Sequence, residues 1–240
     1  MSTSGLPLTD KTVLITGSAR RIGAALAAAF HARGAKLAIH YRRSKADADT
    51  LVARFNAARP GSAIAIPADL ADPASFDTLP AAVVRAFGRL DVLINNASSF
   101  YPTPMGAITL DQFDDLIGSN LRAPLFLSQA AAPELRKHAG LILNIADIHA
   151  LRPLGRHAVY CAAKAGLVML TRSLARELGP EIRVNAIAPG PVLWPENGVD
   201  EDLRRRIVSR TALKRAGSPD DIAKAALFFA CDAPFVTGEV

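Results

Sequence analysis

The sequence predicts a single α/β domain, residues 1–240, built on a doubly wound parallel sheet. Three observations predict it. Short apolar runs of strand length alternate with helical stretches along the whole chain. A glycine turn joins the first such run to the first helix. No repeat, low-complexity tract or linker interrupts the alternation.

The elements follow in order. Thr12–Thr16 reads as a buried strand and Arg21–Arg33 as an Ala- and Leu-rich helix stopped by Gly34. Lys36–Tyr41 is a second strand, and Lys45–Ala58 a helix that ends before Pro60-Gly61. Ala63–Pro67 is a third strand. The next helix, Pro73–Phe87, opens with Asp72 as cap and Pro73 in its first turn. Asp91–Asn95 is a fourth strand, followed by an irregular segment, Ala97–Ile108, and one long helix from Leu110 to Leu135. Leu141–Ala146 is a fifth strand, Val159–Leu178 a helix and Arg183–Ile187 a sixth strand. A Pro/Gly-rich loop, Pro189–Gly198, precedes helical stretches at Asp200–Ser209 and Pro219–Cys231.

Half the residues are hydrophobic and 21% are charged, an ordinary balance for a folded domain rather than a disordered chain. No stretch reads as an apolar membrane span, and Met1–Asp10 lacks a signal-peptide core, so no membrane partner is expected. Cys161 and Cys231 form neither a metal motif nor a disulfide framework, which predicts no metal site and a reducing, cytoplasmic setting. The net charge of +6 suits an anionic cofactor. Its charges are scattered, apart from Arg204–Arg206, so nucleic-acid binding is not expected.

The turn Thr16-Gly17-Ser18-Ala19-Arg20-Arg21-Ile22-Gly23 sits between a buried strand and a helix. Gly17 permits a tight turn, Gly23 a close helix approach, and the helix N-terminus offers free N–H groups to a phosphate. Together these give a Rossmann-like coenzyme site. Arg21 occupies a slot where a second glycine is usual; its guanidinium can meet pyrophosphate or a polar substrate edge, or stay solvated. At the end of the second strand, where a carboxylate would bind the ribose hydroxyls of NAD, the chain reads His40-Tyr41-Arg42-Arg43-Ser44. Arg and Ser favour a 2′-phosphate, which predicts NADP(H). Asp69-Leu70 sits where the adenine should lie.

Tyr160 and Lys164 stand four apart on one helix and so share a face. A nearby ammonium is expected to lower the tyrosine pKa and make Tyr160 a proton-transfer group near neutral pH. Asp147 lies 13 positions earlier, just after the fifth strand, and can orient Tyr160, give a proton if desolvated, or simply cap a turn. His149 reads as a loop histidine. Small residues at Asn95-Asn96-Ala97-Ser98 allow close passage of a coenzyme, and Asn120 lies inside a helix, where it can bind a water or distort the helix.

In order and spacing, the glycine loop, Asn95–Ala97, Asn120, Tyr160/Lys164 and Pro189-Gly190 resemble the short-chain dehydrogenase/reductase family over nearly the whole chain. Four departures resemble its pteridine reductases: Asp147 at the usual serine, Arg21 in the loop, His40–Ser44, and Ala97-Ser98-Ser99-Phe100-Tyr101-Pro102-Thr103-Pro104. That resemblance implies reduction of pterins or folates by NADPH, with Phe100 stacked on the pterin. It makes Asp147, Tyr160 and Lys164 catalytic, and Arg21, Ser98, Phe100, Asp147, Tyr160 and Trp194 substrate-binding. It assigns coenzyme contacts to Gly17, Arg21, Ile22, His40, Arg43, Ser44, Asp69, Leu70, Asn96, Ala97, Ser98, Tyr160, Lys164, Pro189 and Gly190. It also implies a homo-oligomer, a tetramer or dimer. The loop Pro191-Val192-Leu193-Trp194-Pro195 is apolar, and Trp194 either lines the pocket or packs within the loop. The final strand usual in the family is expected to be missing or cut at Val240. The alternatives are a reductase of other carbonyls or 3-oxoacyl thioesters, and a non-catalytic NADPH sensor.

Overall fold

A computed structural model describes residues 6–194, 198 and 200–240. Pro195, part of the apolar loop singled out above, lies outside them. The chain alternates strand and helix as β1 (Thr12–Ile15), α1 (Arg21–Ala32), β2 (Lys36–Tyr41), α2 (Lys45–Ala58), β3 (Ala63–Pro67), α3 (Ala74–Phe87) and β4 (Val92–Asn95). It continues through α4 (Leu110–Ile117), α5 (Ala123–Arg136), β5 (Leu141–Ile145), α6 (Ala158–Leu178), β6 (Arg183–Ile187), α7 (Glu201–Arg210) and α8 (Pro219–Leu227). The six strands form one parallel sheet in the order β3-β2-β1-β4-β5-β6. The order reverses between β1 and β4, which opens a crevice at the carboxyl ends of the strands.

The strands are apolar on both faces because helices cover both. Val13 and Ile15 of β1 enter the core with Leu26 and Phe30 of α1, Phe55 of α2 and Ile222 of α8. Leu14, between them, enters the opposite core with Leu79 and Val83 of α3, Leu127 and Leu135 of α5 and Leu174 of α6. By length and composition α6 is apolar enough to cross a membrane, which the sequence reading did not find. More than half of that window is buried inside the molecule, and the helix carries the buried Lys164.

Two differences from the sequence expectations have local causes. The long helix from Leu110 is broken by a π-turn, Gly118–Arg122, between α4 and α5. Pro124 has no N–H to return to Asn120, so the main chain skips a residue, and Ala123 N–H bonds Gly118 O instead. The Asn120 side chain meanwhile donates to Leu116 O at 2.9 Å. Second, the residues before Val240 begin to pair with β6 in the same direction: Gly238 N–H donates to Val184 O at 2.7 Å and Ala186 N–H to Glu239 O at 2.8 Å. The expected missing strand is thus started along the sheet edge.

Candidate active site

The loop between β1 and α1 is shaped by what a side chain would hit. Gly17 has φ +61°, and a Cβ there would stand 3.0 Å from Ala97 Cα. A Cβ on Gly23 would lie 2.6 Å from Ser18 Cα and 2.8 Å from Asn96 Nδ2. The helix start is therefore pressed against its own turn. Arg21 holds φ +55°, a left-handed conformation that explains why glycine is usual in that slot. Its Nη2 donates to Trp194 O at 3.1 Å, linking this loop to the one after β6.

Thr16, which sequence reasoning missed, stitches β1 to β4. Its Oγ1 accepts from Asn96 N–H at 2.9 Å and Ala97 N–H at 3.0 Å. Asn96 Nδ2 donates to Thr16 O at 2.9 Å and Gly17 O at 3.0 Å. The only sequence signal was a hydroxyl residue where the strand meets the glycine. His40 lies elsewhere than its role as a coenzyme contact required. It is 2% exposed, accepts from Gly17 N–H at Nδ1 (2.9 Å) and donates from Nε2 to Ala68 O at 3.1 Å. Burial pushes its pKa down, so it stays neutral and braces the loop from behind.

Arg42 and Arg43 stand exposed past β2, and Ser44 opens α2 with no side-chain bond to the helix. Arg42 lies 3.8 Å from Asp69, whose carboxylate also accepts from Ala71 N–H. Leu70 is buried in the core beneath.

Across the crevice, α6 presents the catalytic candidates. Its N-terminal half carries Tyr160 and Lys164 on one face, with the Lys164 ammonium 5.8 Å from the Tyr160 ring centroid. The Tyr160 hydroxyl donates to Asp147 Oδ2 at 2.7 Å. Asp147 Oδ1 accepts from His149 N–H at 2.8 Å, so the residue both caps the turn after β5 and engages Tyr160. Lys164 is 2% exposed and donates to Ile145 O at 2.8 Å. Its burial lowers its pKa to about 8.

The expected lowering of the Tyr160 pKa is not found. Burial, then the Asp147 charge and hydrogen bond, push it above the usual phenol value. Desolvation opposes the phenolate, and the carboxylate of Asp147 opposes it further. Tyr160 is held as a neutral phenol.

An open cleft joins these parts. Arg21, Ile22, Asn96 and Ser98 line one side, Asp147, Tyr160 and Lys164 another, and Pro189, Gly190, Val192 and Leu193 the third. Ser98 Oγ donates to Asn120 Oδ1 at 2.7 Å. Phe100 lies edge-on to Tyr160, ring centroids 4.8 Å apart, and stacks on His157 at 4.9 Å. Trp194 departs from its pocket-lining alternative: its ring lies under Arg204, 5.1 Å away, while Val192 and Leu193 face the cleft. Among the described residues no His, Cys, Asp and Glu cluster could hold a metal.

Residues 17–240 match the family described as Enoyl-(Acyl carrier protein) reductase. Pteridine reductase 1 of Leishmania tarentolae is 37% identical, with 96% of this chain and 93% of that protein aligned. A 3-oxoacyl-(acyl-carrier-protein) reductase of Staphylococcus aureus is 34% identical over 95% of this chain and 94% of its own. The crystal structure of a blue fluorescent protein from a metagenomic library, in complex with NADPH, superposes with a TM-score of 0.91 at 35% identity, covering 97% of this chain and 96% of that one. With a glycine turn at the sheet's switch point and a Tyr160–Lys164 pair facing it, the chain belongs to the short-chain dehydrogenase/reductase family and is a nicotinamide-coenzyme-dependent oxidoreductase.

Proposed function

We propose that the protein reduces pterins, with folates as related substrates, at the expense of NADPH. The observation that carries this reading is the Asp147–Tyr160 hydrogen bond of 2.7 Å beside the Phe100 ring. A flat heterocycle sliding over the cleft would meet an aromatic wall and a proton-giving pair together. The identities to the pteridine and 3-oxoacyl relatives, 37% and 34%, do not choose between substrates. Asp147 in place of the usual serine favours a nitrogen heterocycle, because a carboxyl group can relay a proton and pair with polar ring edges.

The residues present fit a dinucleotide: Gly17 and Gly23 let the turn and the helix start close up where a Cβ would clash, and α1 begins there with no side-chain cap on its N-terminus. Bound NADPH supplies the hydride and its electron pair. Lys164 has three N–H groups, one on Ile145 O; among the described residues the other two are free for ribose hydroxyls. The carbon of a C=N bond takes the hydride, and its nitrogen takes a proton from the Tyr160 hydroxyl. A proton from solvent at the cleft mouth returns to the Tyr160 oxygen by way of the Asp147 carboxylate that it touches. This order avoids leaving a phenolate beside a carboxylate. Arg43 and Ser44 receive the 2′-phosphate, and Arg21 the pyrophosphate or the pterin edge. The protein acts in the cytoplasm as a homo-oligomer.

The test is a panel of dihydrobiopterin, dihydrofolate and 3-oxoacyl thioesters with NADPH. Pterin turnover is expected to dominate, and a clear preference for the thioesters overturns the reading. Coenzyme choice has its own check. Arg43→Ala removes a charge-assisted contact of about 1.5–3 kcal/mol, so the NADPH Kd should rise by about 10- to 100-fold. The NADH Kd should stay unchanged, and equal losses for both coenzymes would remove Arg43 from the phosphate site.

A further inference from the structure

Phe100 is 47% exposed, on a segment with no helix or strand to fix it. An aromatic wall is useful only if its plane is set. The last turn of α4 supplies a candidate device. Asp115 Oδ1 accepts from Ser99 Oγ at 3.3 Å, and Oδ2 accepts from the Tyr101 hydroxyl at 2.9 Å. Its two oxygens thus hold the residues on either side of Phe100. Ser119, whose Oγ donates to Asp115 O at 2.8 Å, also accepts from Ser99 N–H at 3.3 Å. Beyond the ring, Thr103 N–H donates to Arg156 O at 2.6 Å, tying the segment to the loop before α6.

With Ser99 and Tyr101 turned toward α4, Phe100 must turn the other way, onto His157 and Tyr160. Two neutral hydroxyls solvate the half-buried carboxylate of Asp115. Burial and that carboxylate push the Tyr101 pKa up to about 12, so its hydroxyl remains a donor across the working range.

We propose that Asp115 is a positioning residue, a two-point clamp that sets the plane of Phe100 over the substrate cleft. It touches neither substrate nor coenzyme and acts through Phe100. Its effect on turnover rests on the pterin reading; its effect on the ring does not.

The test is a double-mutant cycle on the full-length protein. Asp115→Ala should lower kcat/KM for dihydrobiopterin about 10-fold, mostly through KM, with the NADPH Kd unchanged. In a Phe100→Ala background the same change should cost less than about 2-fold, because the group it positions is gone. Asp115→Asn, which keeps one acceptor oxygen, should recover part of the loss. Equal losses in both backgrounds overturn the clamp. A second readout needs no substrate. The Phe100 ring shifts the His157 ring protons in NMR, and Asp115→Ala should move them toward their positions in Phe100→Ala. Unmoved His157 resonances overturn the clamp even if the protein reduces no pterin, whereas absent pterin turnover with moved resonances overturns only the substrate reading.

Discussion

Tyr160→Phe should lower kcat by about 100- to 10,000-fold while leaving the NADPH Kd within about 2-fold of wild type. The substitution removes one oxygen, and that oxygen is the donor to Asp147 Oδ2. The ring keeps its edge contact with Phe100, and Lys164 keeps its bond to Ile145 O, so the cleft stays shaped. Ground-state binding should survive and proton delivery should not. Stopped-flow measurement of coenzyme oxidation in a single turnover separates the two. Near-normal single-turnover rates in Tyr160→Phe would mean the proton comes from another group, with Asp147 the first to examine.

Lys164→Met should cost about 100-fold or more in kcat and should also change how stability depends on pH. Lys164 titrates at about 8 when folded, against 10.5 as a free side chain, because burial penalises its charge. Between those values the unfolded chain keeps the proton that the folded protein has released. The unfolded state then binds more protons, so stability attributable to this residue rises with pH across that window. Below about pH 8 the residue is charged in both states, and the buried charge costs about 3 kcal/mol relative to its neutral form. The methionine variant carries no such term. Denaturation of both proteins from pH 7 to 10.5 should therefore show wild type gaining about 3 kcal/mol on the variant. The fixed offset from leaving Ile145 O unbonded cancels in that comparison. A flat difference would mean Lys164 is not desolvated in solution.

The sheet was legible because every strand is a short apolar run bounded by turn residues, and strand ends shift by a residue at most where Thr16, Asp91 and Ala146 fall just outside. The π-turn was legible only as one alternative at Asn120, a distorted helix beside a bound water; Pro124, which with Asn120 breaks the bonding frame, carried no signal by itself. His40 was misplaced for a related reason: in a strand buried on both faces, alternation does not reveal which residues face the ligand. The direction of the Tyr160 shift was missed because four-residue spacing brings the ammonium onto the same face but says nothing of burial or of which charge lies nearer. Asp115 carried no signal, since its partners lie across a loop rather than along its helix.

The brace behind the glycine turn makes a titratable ring part of what holds that turn in shape. The His40 imidazole can accept from Gly17 only while unprotonated, and its Nε2 proton is already committed to Ala68. Because the folded ring titrates below 6.5, the tie is complete above that value. As pH falls further, the unfolded chain takes up the proton first and the tie's contribution fades. Mild acid should thus erode the stability of the fold before it breaks the tie itself, which the buried ring keeps until the pH falls below its own lowered pKa.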